Sequence, residues 1–258
     1  MSVTLSAAAL AAGHHVVSFA EIGSTNSEAL ERAARGTEGP LWLVADRQNA
    51  GRGRRGRTWM SEPGNLFATL LLTDPSPQAK VAELCFVAAL ALDDALLTLA
   101  PEIGTRFLFK WPNDGLLDGA KIAGILVEAT SRGPSTSVAI GIGVNIAHHP
   151  TDTPYRTTSL NAAGLNLTRD QLFEALSASM VRALAVWRRG EGFAAIRAGW
   201  LARAAGLGGP LRITTEGRLL EGIFAGVDAD GQLILDTPDG RRFVTAGEVI
   251  LPFEARTH

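Results

Sequence analysis

Two uninterrupted apolar runs, LWLVAD (41–46) and NLFATLLL (65–72), stand on either side of the tract GRGRRGRTW (51–59). A strand with one wet face alternates apolar and polar residues, whereas runs like these read as strands covered on both faces. The chain must therefore build a sheet with further layers packed against it. Whatever joins the two runs has to return to that sheet. Four arginines within residues 51–57 are thus confined to a loop between core strands.

The rest of the chain supplies the layers. KVAELCFVAALALDDALLTLA (80–100) predicts a long buried helix that stops before Pro101. TRFLFKW (105–111), KIAGILVEAT (121–130) and STSVAIGIGVNIA (135–147) predict three more strands. Thr25 followed by Glu28 predicts a capping box opening a helix, and Thr168 predicts the N-cap of another, before a shorter helix through FAAIRAGWLARAA. At GLGGP (206–210) the texture changes to short runs with turn pairs, including Asp-Gly at 230–231 and 239–240, a strong hairpin signal. The expectation is an α+β fold: a central mixed β-sheet with helices packed on it over residues 1–206, then a small C-terminal β-barrel over 207–258.

Composition excludes several classes. The chain of 258 residues is 46% hydrophobic and 19% charged with a net charge of −2, which argues against disorder and against a whole-protein field for polyanions. A single cysteine, Cys85, in an apolar helical pattern, rules out an internal disulfide framework and fits a reducing, cytoplasmic setting. No basic n-region opens the chain and no run of 18 apolar residues occurs, so neither a secretory leader nor a membrane helix is expected. Adjacent histidine pairs (14–15 and 148–149) lack metal-ligand spacing, and no P-loop or nucleophile elbow is present. Lysine is scarce: only Lys80, Lys110 and Lys121 occur.

The chemistry concentrates in four stretches. In GRGRRGRTW, glycines let backbone N–H groups approach an anion, the guanidinium forks of residues 52, 54, 55 and 57 suit carboxylate or phosphate, and Trp59 offers a flat face. By residue type alone a solvated loop or an RNA-binding tract would serve equally. Its place between core strands, in a chain that is not basic, argues for one small anion. In KWPND (110–114) and the following K-x-x-G, Lys121 lies seven residues beyond Asp114, and Gly124 leaves a gap in the strand. Such a pair can be a turn and nothing more, or can stabilise charge passing between two anions. Ser24-Thr25-Asn26 either caps a helix or grips a small polar ligand, and Asn145 either bridges backbone groups or reads a nucleobase edge.

Taken together, STN (24–26), Gln48, GRGRRGRTW, KWPND, K-x-x-G-I-L-x-E (121–128) and G-x-G-x-N (141–145) resemble the biotin protein ligase family, in the family's order and over nearly the whole chain. The resemblance implies a class II synthetase-like catalytic domain and a C-terminal SH3-like barrel. It implies that Ser24, Thr25, Asn26 and Gln48 bind biotin, with Gly51, Arg52, Gly53, Arg54, Lys121 and Gly124 completing the pocket. Arg54, Arg57, Trp59, Asn113, Asp114, Lys121 and Asn145 would hold ATP and then the adenylate. Arg54, Lys121 and Asp114 would be catalytic, Trp59 would stack on the adenine, and Mg²⁺ would come with ATP near Asp114 rather than through a protein ligand cluster. The implied partner is a biotin carboxyl carrier protein, with no nucleic acid and no membrane, and the implied state is a monomer or a homodimer pairing through the central sheet, for which the TSVAIGIGVNIA strand is a candidate edge. STN at residue 24 leaves no room for the N-terminal helix-turn-helix of repressor members, so a ligase without repressor function is expected. The lid, residues 51–58, is expected to be mobile without ligand.

Overall fold

The computed structural model describes residues 3–252. A short helix α1 (Ala7–Ala11) leads into β1 (His15–Ile22), α2 (Thr25–Ala34), β2 (Leu41–Gln48) and β3 (Leu66–Thr73). Then come α3 (Leu84–Leu99), β4 (Phe107–Lys110), β5 (Asp114–Leu117), β6 (Ala120–Arg132), β7 (Ser135–Val144), α4 (Arg169–Trp187) and α5 (Phe193–Leu201). The last strands are β8 (Pro210–Thr215), β9 (Arg218–Val227), β10 (Leu233–Thr237), β11 (Gly240–Val244) and β12 (Glu248–Ile250).

Strands β1 to β7 form one sheet in the order β1-β2-β3-β7-β6-β5-β4. β1 and β2 run parallel while the remaining pairs are antiparallel, so the sheet is mixed as expected. β2 and β3 are buried almost residue by residue, because α4 covers one face and α2 the other, while α3 lies against β6 and β7. A smaller cluster of Ala29, Ala33, Leu41, Leu43, Leu71 and Ala139 packs beneath α2, and the main core is rich in aromatics, with Trp42, Phe107, Phe173, Trp187 and Trp200 nearly inaccessible. At about 25 cal/mol per Å² of apolar surface, each such side chain contributes on the order of 2–3 kcal/mol of transfer energy.

β8 to β12 form a separate five-stranded antiparallel sheet in the order β11-β10-β9-β8-β12. Its hairpins fall where the turn pairs stand: Gly231 and Gly240 adopt φ of +81° and +108°, a region open to glycine at little cost. This sheet meets the larger unit through the indole of Trp111, which donates to the carbonyl of Gly231 at 3.1 Å.

Three local expectations need correction. The N-cap of α2 is Ser24, whose hydroxyl accepts from Ser27 N–H, and Thr25 is the first helical residue. The sequence match to a capping box at Thr25 fails because Gln48 takes that hydroxyl, 3.1 Å away. α3 begins at Leu84, after a 3-10 turn over Gln78–Glu83, since Glu83 is held by the Trp187 indole and by Lys80. β7 is no edge: it is bonded along its length to β3 and β6, so a dimer cannot form by adding a strand to it. Thr168 is the N-cap of α4 as read, and Gln171 completes a capping box with it. Cys85 is half-buried against the core, its thiol facing the carbonyl of Pro112 at 3.3 Å.

Candidate active site

The loop between β2 and β3 folds back over the face of β6 and β7 as a narrow lid. Asn49 and Ala50 N–H groups bond to the carbonyls of Ile22 and Gly23, and Trp59 N–H bonds to Gly51 carbonyl at 2.9 Å, closing the loop at its base. Gly51 permits this closure, because a Cβ there would stand 2.5 Å from Trp59 carbonyl oxygen. The tip reverses at Arg55 and Gly56, with φ of +57° and +73°, where Gly56 removes the steric cost at one of the two positions.

Three of the four lid arginines have their own fixed points. Arg52 pairs with Glu128 of β6 at 3.0 Å, Arg54 donates to Asn113 Oδ1 at 3.2 Å, and Arg57 pairs with Glu248 of β12. Burial lowers the Arg54 pKa from its ordinary value, with Arg55 and Arg57 pushing the same way and Cys85 and Asp114 opposing. A half-buried cation with too little countercharge favours an incoming anion. Arg57 and Glu248 shift oppositely, the arginine up and the carboxyl down, chiefly through their shared hydrogen bond.

Beneath the lid lies a cavity with two unlike ends. At one end stand Thr25, Asn26 and Gln48 as a network of neutral donors and acceptors. Gln48 Oε1 accepts from Thr25 N–H at 2.8 Å, and its amide donates to Ser61 Oγ at 3.0 Å. Asn26 donates to Glu128 and to Leu126 carbonyl, and Thr69 Oγ1 lies 2.7 Å from Asn26 Oδ1. At the other end Asp114 sits between two lysines, 2.7 Å from Lys121 Nζ and 3.7 Å from Lys110 Nζ, all three largely buried. Tyr155 closes this end, with both ammonium groups within 6 Å of its ring.

Between the ends the floor is glycine. Gly124 of β6 pairs directly with Gly143 of β7, and Gly141 lies two residues along the same face. The Trp59 indole rests on this floor, where a Cβ at Gly143 would fall 2.7 Å from its ring. The sheet is thus scooped out for a flat or chain-like group.

Of the residues singled out by sequence, Ser24, Thr25, Asn26, Gln48, Arg52, Gly53, Arg54, Arg57, Trp59, Asn113, Asp114, Lys121 and Gly124 line this one cavity. Gly51 lies at the base of the lid, outside the lining. Asn145 is also outside it: its amide donates to Thr158 carbonyl at 3.2 Å, and its backbone joins Ile122 and Leu160. Those bonds fix the segment that carries Tyr155, so Asn145 shapes the wall from behind. Sequence reasoning missed Thr69, Tyr155, Glu128 and Glu248 as parts of the site. Glu128 carried a signal, as a charge in an apolar strand, and Tyr155 is the only tyrosine in the chain. Glu248 comes from a different sheet, with nothing nearby in sequence to mark it.

No group of three or more His, Cys, Asp or Glu side chains that could hold a metal occurs among the described residues. Asp114 is the carboxylate held between the two lysines, and Glu248, the other carboxylate of the lining, is engaged by Arg57. That fits a Mg²⁺ that arrives on phosphates and needs one or two carboxylates, not a resident ion in a protein cage.

A glycine-floored cavity in a mixed sheet, roofed by an arginine lid and cationic at one end, is built to enclose a small anionic ligand. The profile of the "Biotin/lipoate A/B protein ligase family" matches residues 19–145, and that of the "Biotin protein ligase C terminal domain" matches residues 206–251. The chain is 44% identical to a biotin--[acetyl-CoA-carboxylase] ligase of Paracoccus denitrificans, covering 90% of this chain and 98% of that one. It is 32% identical to the bifunctional ligase/repressor BirA of Bacillus subtilis, over 93% of this chain and 74% of that protein. Its fold superposes on the biotin protein ligase of Aquifex aeolicus, solved in complex with biotin and ATP, with a TM-score of 0.76 at 26% identity, covering 92% and 97% of the two chains. The chain belongs to the biotin protein ligase family.

Proposed function

We propose that this chain activates biotin with ATP and transfers it to a lysine of a biotin carboxyl carrier protein. The observation that carries this reading is the polarity of the cavity. A neutral hydrogen-bonding pocket at Thr25, Asn26 and Gln48 suits the ureido ring, and the cationic end suits a carboxylate beside a triphosphate.

In the first step a biotin carboxylate oxygen attacks the α-phosphorus, the bond to the bridging oxygen breaks, and pyrophosphate leaves. Two anions must meet, and Arg54 and Lys121 reduce that repulsion, supplying charge where it develops in the transition state. Lys121 releases Asp114 as it turns to the ligand, and Asp114 remains paired with Lys110. Mg²⁺ on the phosphates, held at Asp114, would neutralise the departing pyrophosphate. In the second step the lysine amine attacks the acyl carbon, the C–O bond to phosphate breaks, AMP leaves, and the nitrogen gives up a proton. The closed lid keeps water from the mixed anhydride meanwhile. It orders around its ligand and opens without it.

Several finer points belong to the same reading. Arg52 and Arg57 are engaged by Glu128 and Glu248, and Arg54 lines the cavity beside Asn113, which favours a ligase with no nucleic-acid role. The division between the two units is placed between residues 206 and 207, where the backbone turns through Gly206 and Gly208 at positive φ. No helix is long and apolar enough to cross a membrane among the described residues. With its lone free thiol and its ATP-linked chemistry, the protein is assigned to the cytoplasm.

Incubation with MgATP and either biotin or lipoate, followed by mass spectrometry, tests the reading. Biotinyl-AMP, and a biotinylated lysine once a carrier domain is added, are the expected products. Adenylate from lipoate alone would overturn it.

A further inference from the structure

The chain contains five tryptophans, and three of them give their indole nitrogen an acceptor inside the fold. Trp42 Nε1 donates to His14 Nδ1 at 3.0 Å, Trp111 to Gly231 carbonyl at 3.1 Å, and Trp187 to Glu83 Oε2 at 2.6 Å. Trp59 differs. Its Nε1 is buried and bonded to nothing. A buried donor left unmade is costly, and native interiors seldom tolerate one without a reason.

The surroundings explain why the protein supplies no acceptor. An ideal Cβ at Gly143 lies 2.7 Å from Nε1, so the nitrogen faces a floor without side chains. The floor's backbone is occupied by pairing between β6 and β7. Along β7, Gly141 lies against Asn26, at the neutral end of the cavity, and Gly143 comes two residues later, toward the cationic end. Lys121 Nζ is 5.5 Å from the centre of the Trp59 ring. The indole N–H therefore stands between the hydrogen-bonding pocket and the charged end, along the way a carboxylic acid must lie.

We propose that Trp59 Nε1–H is a directed hydrogen-bond donor to the acid: first to a carboxylate oxygen, then to the carbonyl oxygen of the acyl phosphate. This rests on the ligase reading and assigns that site a further catalytic residue. When the lysine amine adds to the acyl carbon, the carbonyl π pair moves onto this oxygen. Collapse of that intermediate reforms the C=O bond, expels AMP with the C–O bonding pair, and releases one proton from nitrogen. The negative charge is borne by the atom that Trp59 contacts, so the bond strengthens in the transition state. Stacking needs only a ring; this role needs the N–H.

Two measurements on the full chain separate the two roles. In a 15N-edited spectrum the indole cross-peak of Trp59 is identified by its loss in Trp59→Phe. It should move downfield when biotin is added to the wild-type protein, and again when MgATP generates the adenylate, while the Trp42 and Trp187 peaks hold still. Trp59→Phe should slow transfer from preformed biotinyl-AMP to a carrier lysine by roughly ten- to a hundredfold, the range for a bond to a charged acceptor, with Trp59→Ala slower still. A Trp59 peak that stays in place on ligand binding, or a Phe variant that transfers at the wild-type rate, would overturn the proposal. If the wild-type protein forms no biotinyl-AMP at all, the ligase reading fails instead, so the two failures are distinguishable.

Discussion

Replacing Gly143 with alanine tests whether the lid seats on the sheet through Trp59. A Cβ at that position would stand 2.7 Å from Trp59 Cε2 and Nε1 and 2.9 Å from Cζ2. Non-bonded carbons settle at about 3.5–4.0 Å, so the indole has to rise by about 1 Å. Gly143 is not in the left-handed region, and alanine in an ordinary strand is favoured over glycine by about 0.5–1 kcal/mol. The melting temperature should therefore hold or rise slightly. Trp59 is tied to Gly51 at the lid base, and Arg52 to Glu128, so lifting the ring lifts the roof from the cavity. Misplacement by about 1 Å at a reacting centre costs on the order of 100-fold in rate. The assay is kcat/KM for biotin-dependent AMP formation beside a thermal melt. Wild-type rate with a wild-type melt would refute the seating argument, and a collapsed melt would show that the fold itself needs this glycine. Gly141→Ala is the companion: its Cβ would fall 2.2 Å from Asn26 Oδ1, so the KM for biotin should rise while kcat is spared.

Lys121→Ala removes the closest partner of Asp114 and should lower the rate of adenylate formation by roughly 100- to 1,000-fold with a smaller effect on biotin affinity. Equal loss of both would limit Lys121 to binding. Glu248→Gln should leave the melt within about 1 kcal/mol, because the pair with Arg57 is half-exposed, yet increase leakage of biotinyl-AMP into solution. Arg57→Ala should leak to the same extent, and the double variant no more than either single one, as expected of partners acting through one contact. His14 is buried and accepts the Trp42 N–H, so burial first, and His15 second, lower its pKa from 6.5 in the folded protein. The unfolded chain then takes up a proton that the folded chain refuses. Stability should be complete above about pH 6.5 and decline as pH falls below it, visible in urea midpoints. His14→Gln, which retains an acceptor, should flatten that slope.

The two continuous apolar runs were sufficient to indicate a covered sheet, because burial on both faces leaves no polar alternation. β1, HVVSFAEI, was not legible in the same way. It lies at the sheet edge with mixed burial, and its pattern carries little periodicity. The short β5 is likewise set by its neighbours β4 and β6 and not by its four residues. In the site, local motifs pointed to residues that touch the cavity, since loop glycines and clustered charges stand out against an apolar chain. What they did not disclose was partnership across distance. Glu248 reaches Arg57 across 191 positions, and Glu128 reaches Arg52 across 76, so only the packed fold shows the lid fastened at both ends. Asn145 illustrates the same point: a polar residue in an apolar strand was a real signal, but that its amide donates to the Thr158 carbonyl, 13 positions away, was not legible.

The central claim is that this cavity brings the carboxylate of biotin onto the α-phosphorus of ATP. Biotin labelled with 18O in its carboxyl group, incubated with MgATP and a carrier domain, tests it in a single mass measurement. The account predicts AMP that carries one 18O atom and a biotinylated lysine that retains the other. Unlabelled AMP, or label found in pyrophosphate, would contradict it.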